Sequence, residues 1–529
     1  MSRLFVPLLA AWVGLSLGPA RTALAAPIDR ARDCLDRFDL PCAEDELARL
    51  EGGASLDTTR VQAWVAFHRG DYGQALELIE ALDAQGVDVE EEEPFTPYRA
   101  TAAAAAGLRE ERGEGVGVRH APGVDLILAD QAVEALQAAR ETYDGLFGGG
   151  PDHRVILDIY PTAQRFTQAS GLPPESVRTT NVIALSKWTR LLVTSPRALA
   201  RGYGWKDTVA HEYIHLVVAV RSDNRAPVWL QEGLAKHLEG WWRDQTASGL
   251  SAHHQSLLAE AVAKDTFVPF EKFARSMAYL DSSEEAALAF AQVSTMVEFL
   301  LDRAGPECLP PLMERVRGGE DAMSVVADLA GFEDWSAFTE GWKAWLRTLP
   351  LVQDKLAALP VVFDGEGDEF ASDPLLAGRP DLARFVRLGD LLRDRGFFEA
   401  ALIEYGKAED DAGPPSPMLL ASRAVCHQEL GDVARAMSLI EEGVALYPEF
   451  AALQVAHGRL LDAQGRTAEA VRSWSNAQDL NPYNPEVQAA LARDHAALGN
   501  PTLAARHRRY ERILASGGAH DGADTSGSP

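Results

Sequence analysis

The chain has 529 residues, enough for roughly two to four domains, and its composition is that of a globular protein, 47% hydrophobic and 24% charged. A formal net charge of −28 repels phosphate backbones, which argues against nucleic acid as a partner.

Arg3 opens the chain with a positive charge, and the apolar run LFVPLLAAWVGLSLG follows. Ala23-Leu24-Ala25 then gives a small-x-small cleavage pattern. Residues 1–25 are therefore expected to be an export signal, leaving an exported (periplasmic or secreted) protein with no stable membrane anchor after cleavage. Residues 28–110 read as a helical, repeat-like region. In AWVAFHRGDYGQALELIEAL a helix, a turn at Gly70-Asp71 and a second amphipathic helix follow one another. Cys34 and Cys42 lie close enough for a local disulfide, and two buried free thiols are the other reading. Cys308 and Cys426 have no deducible partner, and no cysteine pair has zinc-site spacing.

From Glu114 the texture changes. GVGVRH and RVILDIYP are β-rich, and ADQAVEALQAARETYDGLF between them has helical periodicity up to Gly148-Gly149-Gly150. VIALSKWTRLLVTSP reads as two short strands, and a helix is expected from Trp205. Residues 114–350 thus form one α+β unit, a small β-sheet subdomain plus a helical part. VVFDGEGDEFASDP marks 351–380 as a linker. Gly431, Gly465 and Gly499 recur every 34 residues, as do Ala436, Ala470 and Ala504, with Gly396 and Ala401 one residue out of phase. This is the tetratricopeptide period, so residues 381–515 are expected to be α-helical hairpin repeats. The tail, 516–529, is low-complexity and expected to be disordered.

The chemistry concentrates in DTVAHEYIHLVVAV. On a helix His211 and His215 share a face, so both imidazoles reach one ion. Glu212 is rotated about 100° away, beside that ion rather than on it. Two histidines and a carboxylate in an apolar helix are costly without a partner, and a metal removes the cost. A catalytic zinc needs a third protein ligand and an open position for water. Glu232, in APVWLQEGLAKHLE, is the candidate, returned to the histidines by a second helix after the loop RSDNRA. Gly233 and Ala235 suit close packing against the first helix.

HEYIH followed by PVWLQEGLAKHLE resembles the gluzincin metallopeptidases, closest to bacterial peptidase-MA-like proteins. The resemblance covers roughly 114–350 and is specific around 205–240. It implies one Zn²⁺ held by His211, His215 and Glu232, with Glu212 as general base in peptide-bond hydrolysis. It also implies an upstream sheet whose edge strand holds extended substrate, a place open to VIALSKWTRLLVTS or to a plain core sheet. Relatives of the aminopeptidase type carry an oxyanion-stabilising tyrosine where this chain has Phe290, with Tyr279 and Tyr213 as substitutes without positional support. No GxMEN-like segment for a free N-terminus is evident, which favours an endopeptidase over an aminopeptidase without resolving them.

His237 and Glu239 read as a solvated helix face, and His253-His254 as a surface pair. The expected partners are a peptide or protein substrate and, through the repeats, a partner protein. The alternative is a catalytically weak or inactive scaffold whose repeats bind that partner.

Overall fold

The computed structural model describes residues 27–50, 55–173, 182–245, 250–274, 280–352, 356–365, 367–409 and 413–517. The expected export signal, residues 518–529 of the tail and Tyr279 lie outside the described residues.

The N-terminal region is five helices: α1 (Pro27–Asp36), α2 (Leu40–Leu50), α3 (Leu56–Arg69), α4 (Tyr72–Ala84) and α5 (Phe95–Ala105). The Ser55 hydroxyl caps α3 by accepting from the Thr58 N–H. Gly70 ends it at φ 86°, a left-handed conformation that favours glycine, and so makes the expected turn. Phe67 stacks on Tyr98 at 3.6 Å and meets Trp188 edge-on, tying these helices to the next unit. Cys34 and Cys42 form a disulfide across the α1–α2 turn.

A five-stranded mixed sheet follows: β1 (Arg109–Gly113), β2 (Val116–His120), β3 (Val155–Tyr160), β4 (Ala184–Lys187) and β5 (Arg190–Thr194), in the order β1-β2-β3-β5-β4. The three inner strands are parallel, and β1 and β4 are antiparallel edges. Every residue of β2, β3 and β5 is buried, as expected of strands covered on both faces. Leu157 and Ile159 face a core shared with α6 (Leu126–Phe147). Tyr160 alternates to the other side and packs on Phe166 of α7 (Ala163–Ser170). The buried Asp158 accepts from the Tyr72 hydroxyl at 2.7 Å, with Arg119 at 3.7 Å and Arg190 at 4.0 Å. The charged β1 was not anticipated. It is held by its pairing with β2 and by Arg119 and Arg154 on Glu110.

Among the described residues eight α-helices then follow: α8 (Trp205–Arg221), α9 (Val228–Leu238), α10 (Ala252–Lys264), α11 (Phe270–Phe273), α12 (Ser283–Ala304), α13 (Leu309–Arg317), α14 (Ala322–Leu329) and α15 (Trp335–Leu346). Gly233 permits a close approach, but to α12 rather than to α8. A Cβ there would sit 2.8 Å from the Val293 carbonyl oxygen.

The segment expected as a linker has no helix or strand among its described residues before Pro380, yet it is packed. Phe363 bridges to Leu199, the Ala200 N–H donates to the Val362 carbonyl, and Phe370 and Leu376 are buried. Four helical hairpins follow: α16 (Pro380–Asp394) with α17 (Phe398–Ala408), α18 (Pro417–Glu429) with α19 (Val433–Leu446), α20 (Ala451–Ala463) with α21 (Thr467–Leu480), and α22 (Pro485–Ala497) with α23 (Pro501–Ala515). Gly396, Gly431, Gly465 and Gly499 occupy the turns at φ 72–83°. Ala401, Ala436, Ala470 and Ala504 are buried where the helices meet.

The last hairpins dock back onto the α+β unit. Asp479 accepts from Lys206 at 2.5 Å and Arg243 at 2.8 Å, and Tyr483 donates to the buried Asp125 at 2.7 Å. The Tyr203 N–H donates to the Leu480 carbonyl, and Gly202, at φ 71°, lies where a Cβ would be 2.1 Å from that oxygen. Gly202→Ala should therefore destabilise this contact by about 1–2 kcal/mol from the left-handed backbone alone, before the clash. The expected readout is a lower thermal midpoint; an unchanged one would mean the repeats do not rest here.

Candidate metal centre

Helix α8 is apolar on most of its surface, and Val209, Ala210, Ile214, Leu216, Val217 and Val218 are buried. His211 and His215, one turn apart, bring their Nε2 atoms to 3.2 Å. The chain then reverses through Asp223 and Asn224, both left-handed at φ 51° and 55°. The Ser222 hydroxyl fixes the turn by donating to the Val218 carbonyl and accepting from the Ala226 N–H. Helix α9 returns Glu232 to the pair, 3.7 Å from His211 Nε2 and 3.6 Å from His215 Nε2. The three candidate ligand atoms lie within 4.8 Å of one another, and among the described residues no other group of three converges this way.

The far side of each ring is also held. His211 Nδ1 donates to Glu239 at 3.0 Å, and Glu239 in turn accepts from Lys236 at 2.5 Å. Gln231 donates through Nε2 to the Ala226 carbonyl, leaving its oxygen for the His215 ring. The two Nε2 atoms lie within hydrogen-bond reach of each other and near the Glu232 carboxylate, so a proton held among them satisfies the group as it stands. With both rings neutral, that set of two imidazoles and a carboxylate suits a divalent cation. Protonation divides the two rings. At His211 burial works against the charge, but Glu232 and Glu239 outweigh it and push the ring up to about 10. At His215 burial dominates and the ring falls to about 4.

Glu239 therefore corrects the expectation of a solvated face. It stands seven residues after Glu232, two turns along the same side of α9, and touches a candidate ligand. His237 is buried as well. His253 is not at the surface either: it is buried, with Nδ1 3.2 Å from the Leu356 carbonyl oxygen, while His254 is half-buried beside Ser251.

Glu212 is 7% exposed, and burial, with Glu232 adding, pushes its carboxyl up to about 7. Its carboxylate accepts from the backbone N–H of Ser186 in β4. Since the Thr194 N–H donates to the Ile183 carbonyl, Ile183, Leu185 and Lys187 bond inward to β5. Ala184 and Ser186 turn their backbone groups outward, so among the described residues β4 is the sheet's outer strand, adjoining Glu212.

Among the described residues no tyrosine takes the place of Phe290, which is half-buried on α12. The Tyr213 hydroxyl donates to Asp144 on α6 at 2.6 Å and is committed there. Tyr203, passed over in the sequence, is buried near enough to Glu212 for their charges to interact, but its hydroxyl donates to the Thr194 carbonyl. Glu239→Gln is expected to weaken metal retention about 10- to 100-fold in chelator competition. Unaltered retention would show that Glu239 does not orient His211.

Residues 137–348 match the model of the Peptidase MA superfamily. No curated protein matches the chain. Among solved structures, MamA of AMB-1 is similar at 21% identity over 27% of this chain and 76% of that one, with a TM-score of 0.22. Native yeast LTA4 hydrolase is similar at 12% identity over 78% of this chain and 67% of that one, with a TM-score of 0.31. Over residues 137–348 the chain carries a domain of the Peptidase MA superfamily.

Proposed function

We propose that the protein is an exported, zinc-dependent peptidase that holds one Zn²⁺ on His211, His215 and Glu232. The observation carrying this reading is the pair of facing imidazole nitrogens with Glu232 beside them and Glu212 alongside. When bound, zinc supplies Lewis acidity that lowers the pKa of a water from 15.7 to roughly 7. Glu212 takes the proton from that water and returns it to the leaving amine. Its buried, raised carboxyl supports such exchange near neutrality. An extended peptide adds to the outer edge of β4 by backbone hydrogen bonds at Ala184. The Cys34–Cys42 disulfide supports an oxidising compartment.

A second reading, an inactive scaffold whose repeats bind a partner protein, draws on Phe290 and on Tyr213 being held by Asp144. The two separate on one comparison. Glu212→Gln should keep zinc and lose about two to four orders of magnitude in peptide hydrolysis, measured on a peptide library beside the wild type. Equal activity removes Glu212 as the base, and zinc without turnover in the wild type supports the scaffold. Glu232→Ala should lose zinc on dialysis; unchanged metal content takes it out of the ligand set.

A further inference from the structure

We propose that the Cys34–Cys42 disulfide is a thiol-exchange site whose reduction loosens the loop joining the two ligand-bearing helices. The bridge closes a sequence separation of 8 residues, and that short loop reaches the α8–α9 turn in two ways. The Asp36 carbonyl accepts from the Asn224 side chain at 3.1 Å. Phe38 packs against the hydrophobic core that also holds α8 and α9. Phe38 does so at φ 62°, a conformation that residues other than glycine seldom keep unless something holds them there. Asn224 is one of the two left-handed residues that reverse the chain between His215 and Glu232.

The sulfurs are set for exchange. The Arg37 guanidinium lies 3.9 Å from each of them. A cation there stabilises a thiolate, which makes either sulfur a better leaving group. Cys34 is buried and Cys42 half-buried, so an external thiolate attacks Cys42. The attacking dithiol forms a mixed disulfide with Cys42 as the Cys42–Cys34 bond breaks, and Cys34 leaves as the thiolate beside Arg37. The second thiol of the reagent then displaces Cys42. Two electrons pass to the two cysteines, each ends as a thiol or thiolate, and the dithiol becomes its own cyclic disulfide. With the bridge open, the loop that presents Phe38 and the Asp36 carbonyl to the turn loses its covalent closure. The effect on metal retention rests on the zinc reading above; the loosening of the turn does not.

The test compares the full chain oxidised and after treatment with dithiothreitol that is then removed. Amide hydrogen exchange is followed along the chain, and zinc transfer to a chromogenic chelator is timed. Exchange over residues 219–232 is expected to rise on reduction while the repeats stay unchanged, and zinc should transfer about tenfold faster. Cys34→Ser/Cys42→Ser should match the reduced form with or without dithiol, which separates the bridge from the buried thiols of Cys308 and Cys426. Asn224→Ala, with the bridge intact, should reproduce part of the rise. Equal exchange in both states, or a rise spread through the repeats as well, overturns the proposal. A chain that takes up no zinc in either state, yet shows the local rise, overturns the zinc reading and leaves this one standing.

Discussion

Two imidazole nitrogens that face each other at 3.2 Å, with a carboxylate close by, are stable when a proton or a metal ion sits among them. Each ring is turned into that position from behind, by Glu239 at one and Gln231 at the other. Neither ring can relax by rotating without abandoning a hydrogen bond in a buried setting, where an unmatched polar group is expensive. The convergence of the three groups is therefore built in, and the surrounding fold supplies the packing that holds it. The α8–α9 hairpin is the element through which this happens, since all three candidate ligands and both supporting residues lie on it.

That hairpin is pressed from several directions. The sheet lies against α8, with its outer strand at Glu212. Helix α12 meets α9 at Gly233, where a side chain would collide with the Val293 carbonyl. From the N-terminal region the disulfide loop touches the turn between the two helices. From the C-terminal end Asp479 of the repeats accepts from Lys206 in the first turn of α8. The repeats are thus bonded to the start of the helix that carries both histidines.

The sequence disclosed what depends on short periods. His211, His215 and Glu232 could be brought together on paper because helical spacing and one short loop fix their approach. The hairpin repeats were legible because glycine and alanine return every 34 residues. Glu239 was equally open to the 3.6-residue period, but that period describes a solvated face as readily as an inward one. Only the hydrogen bond to His211 tells them apart. The charged strand β1 escaped because its reason for existing is its pairing with β2, not its own composition. His253 was misplaced because its burial comes from Leu356, over a hundred residues away. The docking of the repeats had no local signal at all, since Asp125 and Tyr483 are separated by 358 residues.

The central claim is that a single metal ion belongs between the facing rings. Anomalous diffraction at the zinc absorption edge, from crystals of the full chain grown with zinc, tests it most directly. The account predicts one strong peak about 2.0–2.2 Å from the Nε2 atoms of His211 and His215 and from a carboxylate oxygen of Glu232. A map with no peak there, or with its peak on other residues, would contradict it.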